Sequence, residues 1–316
     1  MATPEEQAVA VDETGNVNGR SASMRMRPQP SKSGSVFGLG PRLSSVRIDK
    51  SPTNVDKLYS QVFNSENPPM DWADIGLLIP HEAICHEMTM MVQSANALPD
   101  SPSDNEYWKA ILFSKWYIDY LFVMIDEHHY NEEKIYFPWI KSKTEYPEKK
   151  FSKDHETLVA EMHVMKVACE TICKKGGKGC EKEIALLKTR IPTFEKDMRE
   201  HLKEEESTVP KLLRDNFTQE EEEATVEKIL QAGGLVMAKK FLPSVLTAMQ
   251  KWAKDEFYED FCGAMPPPIK HLTFKYYLPD YENVVVQMRD APTLEKKPKL
   301  KKVGCCGIPF CFPCVL

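Results

Sequence analysis

No stretch of this 316-residue chain approaches the ~20 consecutive apolar residues that a membrane-spanning helix needs. Basic residues are not in excess either. The net charge is −6 and the pI about 5.8, so the chain as a whole has no electrostatic footprint for nucleic acid and none is expected as a partner. Acidic residues occupy the N-terminus, MATPEEQAVAVDETG, where a secretory signal would need an apolar core. The nine cysteines lack the dense, even spacing of a small secreted disulfide framework. Reduced thiols and a cytoplasmic setting are therefore expected. Strand-like alternation is scarce, which points to an all-α fold.

Three zones follow along the chain. Residues 1–65, rich in Ser, Pro, Gly, Arg and Asn, read as a disordered tail. From about 70, long helical periodicity is punctuated by turn signals: ALPDSPSDN at 97–105, EYPEKK at 145–150, KKGGKGC at 174–180 and DNFTQE at 215–220. These breaks predict four helices at about 74–97, 104–144, 152–174 and 180–214. Short connections between long helices favour antiparallel neighbours, hence an up-down four-helix bundle over 70–215. A helical extension packed on the bundle is expected over 216–290, with helices near 218–235 and 240–262, and a basic, cysteine-rich tail over 291–316.

The second helix carries EHHYNEEKIYFPWI at 127–140. Residues four apart share a helix face, so His128 can meet Glu132 and His129 can meet Glu133, but the two pairs face different ways. Leu121, Met124 and Ile125 continue onto the first face. His128 and Glu132 are thus the expected inward pair, with His129 and Glu133 nearer solvent unless the helix rotates enough to make His129 an auxiliary ligand, and the Phe-Pro pair bending or ending the helix. The fourth helix repeats the grammar in EHLKEEESTVPKLL, where His201 and Glu205 are four apart. His81 in IPHEAICHEM and His155 in KDHETLVAEM complete one histidine per helix. His155 and His201 stand at matching distances from the turn between them, whereas His81 and His128 match only if the second helix starts late, its loop is long, or it tilts.

This arrangement resembles the hemerythrin-like family, the HHE cation-binding domains, over roughly 70–215. The resemblance implies a four-helix bundle holding two non-haem iron ions bridged by carboxylates. Carried over by position, the ligands are His81, His128, Glu132, His155, His201 and Glu205, with Glu132 and Glu205 as bridges. Two departures matter: Val159 stands where oxygen carriers have a second histidine on the third helix, and Glu206 where they have an aspartate. The first would leave one iron short of a nitrogen, which favours an iron-, oxygen- or small-molecule-responsive domain over a dedicated oxygen carrier. Imidazole nitrogen with carboxylate oxygen suits iron, and also manganese or zinc. Asp126, Glu156 and Glu200 are the nearby candidates for holding the outer imidazole nitrogens.

Other patterns carry less. HEAICH is not the H-E-x-x-H zinc helix, because residue 85 is cysteine, and the Glu-x-x-His spacing of ferritin-like sites does not occur. His86, His163 and His271 read as structural or exposed, and Cys169, Cys173 and Cys180 as core and loop residues. In the tail, EKKPKLKKVGCCGIPFCFPCVL sets five lysines before Cys305, Cys306, Cys311 and Cys314. Palmitoylation beside a polybasic patch would attach the chain to the inner face of a membrane. A thiolate metal site at Cys311 and Cys314, or no modification, are the alternatives. Three functions stay open: binding or sensing of iron, oxygen or a related small diatomic; a di-iron oxidoreductase acting on peroxide or nitric oxide; and a membrane-tethered interaction module with a structural metal.

Overall fold

A computed structural model describes residues 57–65 and 70–301, and every regular element among them is a helix. The four C-terminal cysteines and most of the N-terminal tail lie outside these residues. The tail boundary expected at 65 falls inside ordered structure, since α1 (Gln61–Ser65) is helical and Phe63 is fully buried.

Local sequence sets the helix ends. Asp71 caps α2 (Trp72–Asn96): its carboxylate accepts the Ala73 N–H, and Asp74 reaches back to the Asp71 N–H. After residues 97–106 come α3 (Tyr107–Trp116), a π-helical turn Tyr117–Leu121, α4 (Phe122–Asn131), a second π turn Glu132–Tyr136 and α5 (Phe137–Lys141), without a break. The helix therefore runs past the Phe-Pro pair. Pro138 has no N–H to return to the preceding turn, and the π turn just before it, with its i→i+5 bonding, absorbs one extra residue. Helix formation begins at Tyr107, three residues later than 104, which is one of the ways His128 was expected to come level with His81.

Gly176 ends α6 (Glu148–Lys175) in the left-handed region at φ 62. Gly177 follows at φ 81, where a Cβ would stand 2.8 Å from the Tyr107 Cβ. Beyond it run α7 (Glu181–Asn216) and α8 (Gln219–Trp252), the latter started by a capping box of Thr218 and Glu221. The break expected between helices near 218–235 and 240–262 falls at Gly234 (φ 54, ψ −147), where non-helical backbone turns Gln219–Leu235 into Met237–Trp252 at 114°; α9 (Asp255–Ala264) follows. Short pieces α10 (Pro267–Leu272), α11 (Leu278–Asp280) and α12 (Val286–Arg289) close the described chain, joined by further π turns.

Helix α2 packs against both α7 and α8, α6 against α7, and α3 against α6. Two apolar clusters result. One gathers Ile84, Met88, Met124, Ile125, Leu158, Met198 and their neighbours; the other gathers Leu77, Leu78, Tyr136, Phe137, Phe151, Val209 and residues of α8. Each fully buried large apolar side chain contributes roughly 1.5–3 kcal/mol. Between the clusters, at one level, sit the buried polar residues His81, His128, Glu132, His155, His201 and Glu205.

The extension is tied to α2 by a second buried polar knot. Glu87, with no exposure, accepts from Ser244 Oγ at 2.9 Å, from the Tyr281 hydroxyl, and from Arg289 Nη1 at 3.2 Å. Arg289 is itself buried, and the Glu87 charge keeps its guanidinium protonated against the opposing effect of burial. Such a charge is tolerable in the interior only because every partner is present.

Candidate metal centre

Four helical segments each bring a histidine to the layer between the apolar clusters, and the expected His–Glu pairs both point inward. His128 Nε2 lies 3.3 Å from Glu132 Oε1, and His201 Nε2 lies 3.4 Å from Glu205 Oε1. The other oxygens face elsewhere: Glu132 Oε2 is 3.5 Å from His155 Nε2, and Glu205 Oε2 is 3.6 Å from His81 Nε2. Glu205 Oε1 also lies 3.6 Å from His155 Nε2. Each carboxylate therefore spans two groups of imidazoles.

His129 joins them, contrary to its expected place nearer solvent. It is 3% exposed, stacks on His155 at 4.2 Å between ring centroids and meets His201 edge-on at 5.7 Å. Consecutive helical residues point about 100° apart, and both are buried because α4 has one neighbour on each side. His128 faces His81 of α2, at 5.4 Å between ring centroids, while His129 faces His155 of α6. His129 thus stands in the group for which Val159 offers no nitrogen. That vacancy, beside a His-His doublet, was the available signal in the sequence.

Two candidate ligand groups follow: His81, His128, Glu132 and Glu205 in one, and His129, His155 and His201 in the other, each with donor atoms within 4.8 Å of one another. The fit to a cation rests on orphaned lone pairs. His81 Nε2, His128 Nε2, both nitrogens of His129, Glu132 Oε2 and both oxygens of Glu205 are buried without a hydrogen-bond partner. His155 Nε2 and His201 Nε2 face each other at 2.9 Å. Unpartnered buried acceptors are costly, and cations between them would satisfy the set together. The donors, nitrogen and carboxylate oxygen without thiolate, suit iron, manganese or zinc.

Electrostatics act unequally on these groups: burial opposes charge on His155, but the hydrogen bonds and charges of Glu205 and Glu133 outweigh it and raise that imidazole. Burial, reinforced by the neighbouring imidazoles, lowers His128 and His129 well below the usual histidine range. Burial raises the Glu205 carboxyl, but His201, His155 and His81 outweigh it and hold the group at about 2. Glu132 is pushed up by burial and by the Glu205 charge. One carboxylate is thus ionised by its imidazoles alone, and the other needs further positive charge nearby.

Two of the outer nitrogens are held by carboxylates that were not among those expected. Glu206 Oε1 is 3.0 Å from His81 Nδ1 and Glu133 Oε1 is 2.9 Å from His155 Nδ1, whereas His201 Nδ1 has no hydrogen-bond partner and the Asp154 carboxylate stands 4.0 Å away. Glu156 and Glu200 lie on exposed faces with Lys153 and Lys196. A carboxylate on the outer nitrogen fixes the tautomer that leaves the inner lone pair free. The leftover residues behave structurally: His86 contacts Tyr59 and Lys251, His163 and His271 are exposed, and Cys169 and Cys180 are buried free thiols.

No curated protein and no solved structure shows a match to the chain. Residues 80–213, which hold all seven of these histidines and glutamates, match the family model described as the hemerythrin HHE cation binding domain. The layer of imidazoles and carboxylates thus lies wholly within the part of the chain, residues 80–213, that matches the hemerythrin HHE cation-binding domain.

Proposed function

We propose that this domain holds two iron ions, bridged by Glu132 and Glu205, and binds or senses iron, oxygen or a related small diatomic molecule. One observation carries the reading: each carboxylate turns its two oxygens toward different imidazoles. A single cation held through one oxygen of each would leave the other buried and unpaired. Bound there, iron supplies redox change and reversible coordination of a small ligand. The protein supplies imidazoles whose outer nitrogens are held by Glu206 and Glu133, and apolar clusters on both sides that keep water out. The group containing His81 and His128 has one imidazole fewer than the other, which supports an exchangeable position on that side.

That exchangeable position also supports a second reading, an oxidoreductase acting on peroxide or nitric oxide. Steady-state turnover of either substrate separates the two. Tethering to the inner face of a membrane through acylated Cys305, Cys306, Cys311 and Cys314 belongs to the proposal on the sequence pattern alone, and a thioester-exchange assay on the expressed protein tests it.

Metal analysis with the ultraviolet-visible spectrum tests the central claim. The wild type is expected to carry about two irons per chain with a ferric charge-transfer band, and Glu132→Ala combined with Glu205→Ala to lose both. A wild type that is folded, helical and takes up no metal when iron is supplied overturns it.

A further inference from the structure

The centre is reached from outside the matched domain. Residues 57–65 lie before it in sequence, yet Ser60 Oγ donates at 2.6 Å to Glu206 Oε2, whose other oxygen is the partner of His81 Nδ1 at 3.0 Å. Ser60, Glu206 and His81 are 7%, 4% and 1% exposed, so no solvent competes along this chain of contacts. The same hydroxyl accepts the Phe63 N–H at 3.1 Å and so caps α1, while the Tyr59 and Ser60 N–H groups donate to Glu82, the neighbour of His81, at 3.0 and 2.8 Å. Phe63, fully buried, anchors the segment among the apolar residues.

The contacts have a direction imposed by the imidazole. A cation on His81 Nε2 places the remaining ring proton on Nδ1, which then donates to Glu206 and leaves its second oxygen to accept from Ser60. A proton on Nε2 instead sets two acceptors against each other across the same 3.0 Å. A cation on His81 Nε2 excludes that second form and so favours the arrangement with Ser60 docked.

We propose that Ser60 is a positioning residue for His81, and that the segment 57–65 docks in step with cation binding at the His81 group. The inference rests on the metal-binding reading above and deepens it: the N-terminal approach to the bundle reports whether that group is occupied. Linkage makes the effect reciprocal, so undocking the segment weakens the cation by the factor that the cation tightens the segment.

The test uses the full chain, iron(II) under anaerobic conditions, and two readouts: amide hydrogen exchange at residues 61–63, and iron affinity by chelator competition. In the wild type, stripping iron is expected to speed exchange at these amides about tenfold or more. Ser60→Ala should exchange fast with or without iron and bind one of its two irons roughly 10–100-fold more weakly, the other unchanged. Ser60→Thr, which keeps the hydroxyl, should restore both. Loss of packing alone would not make the exchange iron-dependent in the wild type or be rescued by threonine. If the wild type binds two irons but exchange ignores them, or Ser60→Ala binds both as tightly as the wild type, the inference falls and the functional reading stands. A wild type that takes up no iron overturns that reading, and this inference with it.

Discussion

His129 has both ring nitrogens buried without a partner, so its replacement should move stability and metal binding in opposite directions. His129→Leu is expected to stabilise the metal-free protein by about 1–3 kcal/mol, because an unsatisfied polar ring gives way to an apolar one. The same variant should hold one ion fewer, and denaturant unfolding with and without chelator, beside metal analysis, checks both. Glu133→Ala, which releases His155 Nδ1, should lower affinity roughly 10–100-fold without removing a ligand. At this scale the His128–Glu132 and His201–Glu205 pairs were legible, since a spacing of four is a property of the helix itself. His129 was legible only as an auxiliary ligand dependent on helix rotation, because its burial depends on α4 being wedged between α2 and α6. Glu133 and Glu206 were likewise hidden: their role depends on which neighbouring helix supplies the imidazole they meet.

Helix ends were legible wherever a residue type dictates the backbone. Asp71 and Thr218 start helices by accepting orphan N–H groups, and Gly176 ends one by adopting positive φ. Gly177→Ala should destabilise the chain by roughly 1–3 kcal/mol, from strain at φ 81 and from contact with Tyr107, and a thermal melt measures it. The π turns left no sequence signal beyond the Phe-Pro pair. Nor did the approach of α8 to α2, where Glu222 lies so close to Gly76 that a Cβ there would stand 2.0 Å from its Oε1. Burial, with Glu223, Asp71 and Asp74 nearby, raises Glu222 from an ordinary 4.5 to about 8. Between those values the folded chain keeps a proton that the unfolded chain has lost, so this group makes stability fall as pH rises from about 4.5 to 8. Glu222→Gln should remove that slope and gain ~1–3 kcal/mol at pH 8 relative to pH 5. Urea unfolding at the two pH values decides it.

For the molecule as a whole, the proposed ions would make stability conditional on their binding to the polar layer. A ligand present at a thousand times its Kd adds roughly 4 kcal/mol, so chelation should lower the melting temperature by on the order of 10 °C for a chain of this size. Circular dichroism melts with and without chelator measure the shift, and no shift would mean that the layer is satisfied without ions. The helical class and the order of the four segments could be read from periodicity and turn residues. The division of the core into two clusters could not, although α2 gave a hint: IGLLIPHEAICHEMTMM is apolar on nearly all faces, which a helix covered on only one side does not need.

The knot at Glu87 bears on how the protein can be handled. Three of its donors, Ser244, Tyr281 and Arg289, come from beyond residue 213, where the recognisable domain ends. A fragment cut at that limit would leave an ionisable carboxyl on α2 with no donors, on a face from which α8 had been peeled away. It would be expected to aggregate or loosen on expression, for reasons unrelated to its metal chemistry. The smallest piece worth purifying therefore runs through Arg289, well past the stretch by which the protein can be recognised.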